Sequence, residues 1–366
     1  MHYHLLLTES CNSNCKYCYE KSLNEFDNGL NKKFSFDFSS PEKSEVDIEK
    51  LKKFLEKDKN PVLIFYGGEP LLEIEKIKKI INRIQIPFRM QTNGLLLNKL
   101  PIDYLKKIDK ILVSLDGNKE RTDFNRGSGA YEQVISNIEK IKKEGYNGEI
   151  IARMCISFPD IFEQVSHLIN IGFSSIHWQL DAGFYKNDFN KEKFEKFVED
   201  YNSSIEKLIN FWIENMKKGR VIRLYPFIGI IESLLNDEKT KLRCGAGHSG
   251  YAITTNGKIV ACPIMNCIKD FEAGNLNSSP EKLKKFEVGG ECVKCSYMDL
   301  CGGRCLYSNK AELWPKEGRE LICLTIKFYI DKLKEKMPEI RKIMDNGIIK
   351  KEDFDYETYF GPEIIP

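Results

Sequence analysis

Three cysteines stand close together near the start of the sequence, in the stretch TESCNSNCKYCYE. They are Cys11, Cys15 and Cys18, and the gaps between them are three and two residues. Thiolates usually bind metal in sets of four, in structural zinc sites and in most [4Fe–4S] clusters. Three thiolates on one loop can hold three irons of a cluster and leave the fourth iron open to a small molecule. A zinc site completed by His2 or His4 is the alternative.

A second group of cysteines lies in the last third of the chain. Twelve residues separate Cys244 from Gly257, and four more separate Gly257 from Cys262. The later stretch CVKCSYMDLCGGRC has gaps of two, five and three residues. One or two structural zinc sites are the alternative here, because C-x2-C suits zinc well. The cysteines of this stretch and beyond it are Cys292, Cys295, Cys301, Cys305 and Cys323.

Composition narrows the classes of protein that fit. The 366 residues include 56 Lys and Arg against 54 Asp and Glu, a net charge of +2, which gives no support for nucleic acid as a partner. No apolar run approaches the roughly 18 residues of a membrane span, and the start MHYHLLLTES lacks the features of a signal peptide. The sequence predicts a cytoplasmic protein without a membrane partner. Reducing conditions there oppose disulfides, so clustered cysteines indicate metal.

The cysteine stretches must be positioned by the elements around them. Apolar runs followed by polar or glycine residues alternate with segments of helical periodicity, which predicts six βα units. The fold class is therefore α/β, a partial (β/α)6 TIM-like barrel, in which chemistry is expected at the carboxyl ends of the strands. Strands are predicted at 2–8, 61–70, 88–94, 110–117, 149–157 and 175–181, and helices at 47–58, 73–84, 130–145, 190–218 and 320–345.

The first motif resembles the C-x3-C-x2-C signature of the radical S-adenosylmethionine (SAM) superfamily. The aromatic Tyr17 before the third cysteine and the position after the first strand agree with that resemblance. GGEP, beginning at Gly67, Gly68 and Glu69, follows the second strand, where the family binds the methionine amino group of SAM. Glycines let the backbone approach a ligand closely, and a carboxylate favours an ammonium group.

The resemblance implies further cofactor contacts on later strands. QTNG is similar to the third-strand segment beside the cofactor and SLDG to the fourth-strand segment. An arginine-and-glycine stretch follows, and the fifth strand offers one more arginine. The candidates for cofactor binding are Thr92, Asn93, Ser114, Arg126 and Arg153. Asp181, after the sixth strand, is the candidate catalytic carboxylate.

The later cysteines resemble the SPASM extension of the same superfamily. The resemblance implies one auxiliary [4Fe–4S] cluster on Cys292, Cys295, Cys301 and Cys323. It implies a second on Cys244, Cys262 and Cys305. Cys267 either closes that second set, which we favour, or the fourth iron stays open for substrate. With the cluster on the first motif, three [4Fe–4S] clusters and SAM are the expected cofactors.

The expected domains are a radical SAM partial barrel at 1–185, a bridging helical segment at 186–243, a small cysteine-rich SPASM domain at 244–325, and a C-terminal helix and tail at 326–366. The nearest resemblance is to archaeal-type peptide-modifying radical SAM/SPASM enzymes. It implies a 5′-deoxyadenosyl radical that removes hydrogen from a peptide or small protein, followed by cross-linking, oxidation or epimerisation. An electron donor such as ferredoxin or flavodoxin is an expected partner. We expect the leader peptide to be recognised either by a separate protein or by the barrel edge and the terminal helix directly.

The same residues are compatible with three other functions. A sulfatase-maturase-like enzyme that forms formylglycine is the close rival. Those relatives place an acidic base directly after the second cysteine of the first SPASM pair, and here Pro263 stands there. A non-catalytic iron–sulfur electron carrier predicts clusters but no need for GGEP. A zinc-stapled nucleic-acid binder is disfavoured by the near-neutral charge.

Overall fold

The computed structural model describes residues 1–19, 29–181, 189–312 and 314–360, and it divides into two units. The first unit is Met1–Ala152 with Gly245–Glu287, and the second is Arg153–Cys244 with Val288–Pro366. Each unit thus combines an early segment of the chain with a late one. The predicted boundary at 185/186 and residues 361–366 of the predicted tail lie outside the described residues. The four-part division of the sequence stays a prediction.

The strands and helices reproduce the predicted alternation, and the α/β fold class is confirmed. The strands are β1 (His2–Leu6), β2 (Val62–Tyr66), β3 (Phe88–Thr92), β4 (Ile108–Ser114), β5 (Glu149–Ile156), β6 (Ser175–Leu180), β7 (Arg223–Leu224), β8 (Gly250–Ile253), β9 (Lys258–Val260) and β10 (Glu272–Asn275). The α-helices are α1 (Leu30–Lys33), α2 (Ile48–Leu55), α3 (Ile74–Arg83), α4 (Ile102–Leu105), α5 (Lys119–Arg126), α6 (Ala130–Lys143), α7 (Ile161–Asn170), α8 (Lys191–Met216), α9 (Tyr225–Asn236), α10 (Met298–Cys301), α11 (Leu306–Ala311) and α12 (Lys316–Asp345).

The sheet of the first unit has the strand order β10-β9-β8-β1-β2-β3-β4. Strands β1 to β4 pair in parallel with their neighbours. Strand β8 also pairs in parallel with β1, with His2 opposite Gly250, and then continues into the antiparallel strands β9 and β10. Part of the late cysteine-rich segment therefore extends the sheet that carries the first motif.

Helices cover this parallel sheet, which is why its strands read as continuous apolar runs. Leu63 and Phe65 of β2 are fully buried. Helix α6 buries Val134, Ile138 and Ile141, which recur at the spacing of one helical face. The carboxylate of Asp123 accepts hydrogen bonds from the backbone N–H groups that start this helix.

The second unit is built around helices α8 and α12, which pack along each other, and the parallel pair β6–β7. Its core is aromatic: Trp178 and Trp212 both contact Phe227, with ring centroids 5.1 and 5.4 Å apart. The indole N–H of Trp178 donates to the hydroxyl of Tyr201 at 3.0 Å. Strand β5 begins in the first unit and ends in the second. Within the described parts of the chain, no helix is long and apolar enough to span a membrane.

Candidate active site

The first cysteine motif forms the loop that leaves β1. The backbone N–H of Lys16 donates to the carbonyl of Asn125 at 2.9 Å, and that of Cys18 donates to the carbonyl of Cys15 at 3.2 Å. Cys11 as a whole residue is exposed, and the N–H of Ser13 lies 3.4 Å from its sulfur. Desolvation by the surrounding protein raises the pKa of Cys11 to about 11, although the N–H groups around the sulfur oppose this shift.

The two glycines of GGEP pack against the segment that leads into this loop. Gly67 has a φ of +145°, and a side chain there would overlap the Thr8 carbonyl. A Cβ atom on Gly68 would lie 2.6 Å from the Glu9 carbonyl oxygen and would overlap that of Ser10. Backbone hydrogen bonds of 2.8 and 2.9 Å run from Gly68 and Glu69 to Thr8 and Ser10. These glycines therefore hold β2 against the first motif, a role that the sequence did not indicate.

The side chain of Glu69 is fully buried and already occupied. Its carboxylate accepts hydrogen bonds from the N–H of Leu71 at 3.0 Å, the hydroxyl of Thr92 at 2.7 Å and the N–H of Asn93 at 2.7 Å. Burial raises the pKa of Glu69 to about 7, and these hydrogen bonds act in the opposite direction. Any contact of this residue with a cofactor would therefore come from its main chain.

Asn93 connects the end of β3 to the cysteine loop. Its side-chain amide donates to Asn12 at 2.7 Å and to Ser13 at 3.2 Å, and it lies 3.8 Å from the sulfur of Cys11. Thr92 is buried, and its hydroxyl accepts from the N–H of Gly94 in addition to its bond to Glu69. The third-strand candidates thus position the loop that carries Cys11.

Arg126 forms a two-point ion pair with a residue that sequence reasoning missed. Its Nε and Nη2 atoms lie 3.0 and 2.9 Å from the carboxylate oxygens of Asp116, which is almost fully buried. Asn125 and the hydroxyl of Tyr17 donate to the same carboxylate. Burial lowers the pKa of Arg126, but Asp116, Tyr17 and Cys15 together raise it above its ordinary value.

The same guanidinium reaches the cysteine loop. Arg126 Nη1 lies 3.9 Å from the sulfur of Cys15, and the guanidinium stands 5.3 Å from the ring centroid of Tyr17. Asp116 lies inside the SLDG stretch, two residues after the candidate Ser114, which is buried at the end of β4. The sequence carries no separate motif for Asp116, because its burial and its ion pair with Arg126 are visible only in the fold.

Two candidates lie in the second unit. Arg153 on β5 donates to the side-chain oxygen of Gln179 at 3.0 Å. Asp181 follows β6, where its backbone N–H donates to the carbonyl of Ile156 at 2.9 Å. Asp181 also lines a cleft in this unit. Cys155, which the sequence analysis did not assign to any cluster, is buried within β5.

The later cysteines are divided between the two units. Cys262 and Cys267 belong to the first unit, where desolvation raises the pKa of Cys267 to about 11 and nearby Glu9 adds to the shift. The side-chain amide of Asn266 donates to the carboxylate of Glu9 at 3.0 Å, which connects this segment to the start of the first motif. Cys244 belongs to the second unit.

Four cysteines of the second unit lie close together. Burial raises the pKa of Cys301 to about 11, with contributions from the thiols of Cys323 and Cys292. Desolvation also raises the pKa of Cys323, with contributions from Cys292 and Cys295. These four are the set that the resemblance assigned to one auxiliary cluster. Cys305 lies at the start of α11, where the N–H of Ser308 is 3.5 Å from its sulfur.

A single metal ion requires side chains that converge on one point. Among the residues that the structure describes, no group of three or more His, Cys, Asp or Glu side chains is placed to hold one metal ion. A [4Fe–4S] cluster binds one thiolate at each of its irons, so its ligands surround a larger body than a single ion.

A family model described as the radical SAM superfamily matches residues 5–172, the span that carries the first motif, GGEP, Asn93 and Arg126. This match identifies residues 5–172 as a radical SAM superfamily domain. The later cysteines and the relatives agree with this match, so the protein is a radical SAM/SPASM enzyme. Membership implies SAM and a [4Fe–4S] cluster as cofactors.

Three curated relatives align over most of the chain. An uncharacterized protein of Archaeoglobus fulgidus is 26% identical over 86% of this chain and 75% of its own length. The radical SAM cyclopropyl synthase TigE of Paramaledivibacter caminithermalis is 25% identical over 82% of this chain and 67% of its own. A cysteine-type anaerobic sulfatase-maturating enzyme of Clostridium perfringens is 24% identical over 90% and 92%.

Two solved structures share the fold. The structure of anSMEcpe with bound AdoMet and the Cp18Cys peptide has a TM-score of 0.69 and 19% identity, and covers 94% of this chain and 99% of its own. Streptococcus suis SuiB bound to its precursor peptide SuiA has a TM-score of 0.51 and 14% identity, covering 83% and 71%. At these identities the likeness establishes the fold.

Proposed function

We propose that this radical SAM enzyme modifies a peptide or small protein, and that Cys11, Cys15 and Cys18 hold its catalytic [4Fe–4S] cluster. The observation that carries the proposal is the set of side chains that converge on this loop. Asn93 and Arg126 reach it from β3 and α5 and bring N–H groups to the sulfurs of Cys11 and Cys15. Such donors favour sulfur in its thiolate form, which is the form that binds iron.

The proposed function gives a role to each polar side chain around the cysteine loop. When bound, SAM and the cluster would supply a 5′-deoxyadenosyl radical. Glu69 fixes the turns that follow β2 and β3, so the main chain of GGEP is positioned for the methionine end of the cofactor. Asp116 orients Arg126, whose remaining Nη1 is directed at Cys15. Ser114 stays a candidate for the cofactor carboxylate, and Arg153 stays a candidate from the second unit.

The later cysteines would hold two auxiliary clusters, for a total of three. Cys292, Cys295, Cys301 and Cys323 form one ligand set, and their mutual influence on one another's pKa supports it. Cys244, Cys262 and Cys305 with Cys267 form the other. An electron donor such as ferredoxin or flavodoxin and a peptide-binding partner protein complete the proposal.

A peptide is the proposed substrate because two proteins that share this fold were solved with a peptide bound. SuiB was solved with a precursor peptide, and anSMEcpe with a peptide and AdoMet. Asp181, at the end of β6, is the proposed carboxylate of the substrate region. The proposal places the protein in the cytoplasm, where low-potential electron donors are available.

Formation of formylglycine is the second candidate function. The C. perfringens sulfatase-maturating enzyme aligns over 90% of this chain, which favours it. Against it, Pro263 follows Cys262 and begins a short 3-10 turn, so the chain has no acidic side chain at that position to accept a proton.

The test is anaerobic reconstitution with iron and sulfide, followed by reduction in the presence of SAM. We expect release of 5′-deoxyadenosine, with an increase when a substrate peptide is added. Candidate peptides are those encoded beside the gene, together with a sulfatase-derived peptide. A mass loss of two hydrogens would indicate cross-linking or oxidation, and deuterium uptake without a mass change in water would indicate epimerisation. Iron content without any cleavage of SAM would support an electron carrier instead.

A further inference from the structure

A cleft of about 300 Å³ lies in the second unit where strands β5 and β6 end. Four aromatic side chains and two charged ones are among the residues that line it: Phe189, Phe194, Phe197, Trp314, Asp181 and Lys193. Small-ligand pockets occupy about 300–1,000 Å³, so this one is near the lower limit. Its size suits one side chain of a larger ligand.

The aromatic residues of the cleft hold one another in fixed orientations. The rings of Phe194 and Trp314 meet edge to face, with centroids 4.7 Å apart and planes at 88°. Phe194 also stacks on Phe197 at 5.6 Å, and Phe189 lies 5.4 Å from Trp314. Gly318 makes room for this group, since a Cβ there would lie 2.7 Å from the ring of Phe189.

Such a set of rings favours an aromatic guest over an aliphatic one. Aromatic pairs gain energy beyond the area they bury when edges meet faces, and the cleft contains neighbours of both kinds. An aliphatic side chain would gain only from burial. The arrangement of the rings therefore favours ligands that have the flat shape and the charge distribution of an aromatic ring.

Asp181 adds a second criterion. Its backbone is fixed by the hydrogen bond to Ile156, and its carboxylate lines the same cleft as the rings. A carboxylate offers about four acceptor positions, so it can take a donor from a ligand beyond the contacts it already makes. Among the large aromatic side chains, tyrosine and tryptophan carry such a donor, an O–H and an N–H respectively.

We propose that this cleft binds a tyrosine or tryptophan side chain, with the ring against Phe194 and Trp314 and its O–H or N–H donating to Asp181. The identification of that side chain as part of the substrate peptide rests on the proposed function. Binding itself does not, because the cleft is formed entirely by residues of the second unit. Lys193, on the first turn of α8, is placed beside the cleft to meet a peptide carbonyl or carboxylate.

The test measures binding of the probes N-acetyl-Gly-X-Gly-amide to the full-length, anaerobically reconstituted protein by saturation-transfer NMR and competition. X is Tyr, Trp, Phe or Leu. We expect the Tyr and Trp probes to bind best. We expect the Phe probe to bind about tenfold more weakly than Tyr, the effect of losing a hydrogen bond to a charged group. The Leu probe should be weaker still.

Two variants separate the ring contacts from the hydrogen bond. Asp181→Leu, which removes both acceptor oxygens at a similar volume, should remove most of the preference for Tyr over Phe while the Phe probe still binds. Phe194→Leu, which keeps an apolar side chain, should weaken all aromatic probes by about three- to tenfold. Phe211→Leu on the same helix, away from the cleft, is the matched control and should change nothing.

Equal binding of the Leu and Tyr probes, or an equal loss in Phe194→Leu and Phe211→Leu, would overturn the proposal. Cleavage of SAM distinguishes this result from a failure of the proposed function. An active enzyme that does not discriminate among the probes disproves only the cleft. A protein that binds Tyr probes but never cleaves SAM disproves the proposed function and leaves the cleft intact.

Discussion

Desolvation raises the pKa of Cys11 and of Cys301 alike, to about 11, but the groups that approach the two sulfurs differ. In the first unit, Asn93 and Arg126 come from two different elements to reach the cysteine loop. In the second unit, burial raises the pKa of Cys301 to about 11, and the neighbouring thiols add to that shift. Asn309 is a polar side chain beside this group, with its amide 3.6 Å from the sulfur of Cys292.

This difference indicates different tasks. Hydrogen bonds to cluster sulfurs and solvent exposure are among the factors that set reduction potential. A loop with three cysteines and directed N–H donors leaves one iron without a thiolate, which suits a cluster that meets a small molecule. A set of four neighbouring thiols suits a cluster that is closed to ligands.

The largest expected effect comes from replacing cysteines in each of the two groups and comparing the results. Replacing Cys11, Cys15 and Cys18 together by alanine should abolish SAM cleavage and remove about four irons, one cluster. Cys301→Ala should perturb an auxiliary cluster while cleavage of SAM continues. Iron analysis and chromatography of 5′-deoxyadenosine measure both, with Cys155→Ala as the control thiol. Persistent cleavage in the triple variant would break the distinction between the two groups.

The next effect concerns the ion pair that anchors the first loop. Asp116→Asn should destabilise the protein by about 3–5 kcal/mol, because it leaves the buried Arg126 without its counter-charge. Glu132→Gln, which removes the exposed partner of Lys119, should cost at most about 1 kcal/mol. Urea denaturation of the two variants gives the comparison. Similar values would mean that Asp116 does not hold Arg126 in place.

Gly68→Ala tests how tightly β2 is packed against the loop. The added Cβ would displace the carbonyls of Glu9 and Ser10, so we expect a loss of about 1–3 kcal/mol, typical of overpacking. Because those residues lead into Cys11, both iron content and SAM binding should fall.

The matched change in the second unit is Gly289→Ala. A Cβ there would meet only the end of Lys310, at 3.5 Å, so stability and iron content should stay unchanged. SAM binding measured by equilibrium dialysis, together with iron analysis, decides the comparison. A neutral Gly68→Ala would show that the contact with Thr8–Ser10 is loose.

The elements themselves could be predicted well, because their apolar periodicity is strong. All six predicted strands occur within a few residues of their expected bounds, and α8 and α12 follow the periodic stretches at 190–218 and 320–345. Strands β7 to β10 were missed because each has only two to four residues. The pairing of β8 with β1 is a long-range contact that no local pattern encodes.

Sequence spacing could predict the motifs of the candidate site. It could not predict roles that depend on contacts between side chains from different elements. That Cys11, Cys15 and Cys18 share one loop after β1 could be predicted from their gaps and their place in the chain, and their role as cluster ligands stays a prediction. The roles of Glu69 and Thr92 as hydrogen-bonded supports could not be predicted. A polar residue at the end of a strand gives the same sequence pattern whether it faces a ligand or a neighbouring loop. Asp116 has no motif of its own, and only the fold shows that Arg126 reaches it.

A subtler effect compares the two asparagines that approach cysteine sulfur. Asn93→Ala should lower the reduction potential of the first cluster, because an N–H donor to sulfur stabilises the reduced, more negative state. Asn309→Ala should shift only an auxiliary cluster. Titrations followed by electron paramagnetic resonance resolve the two, and a shift of the same cluster in both variants would contradict the assignment.

The smallest expected effect is that of Cys267→Ala. If this thiol closes the second auxiliary set, the spectrum of one cluster should change while SAM cleavage continues nearly unaltered. An unchanged spectrum would favour an iron left open for a substrate thiolate.

The pairing of β8 with β1 has a consequence for synthesis. Strand β1 is made first, yet its parallel neighbour on one side is residues 250–253. Until those residues emerge from the ribosome, one side of β1 is an open strand edge, which can pair with other chains. Chains interrupted before residue 250 should aggregate, and closing so long a loop should be a slow step of folding. Iron delivered to the first motif before that step would reach a loop whose supporting sheet is still incomplete.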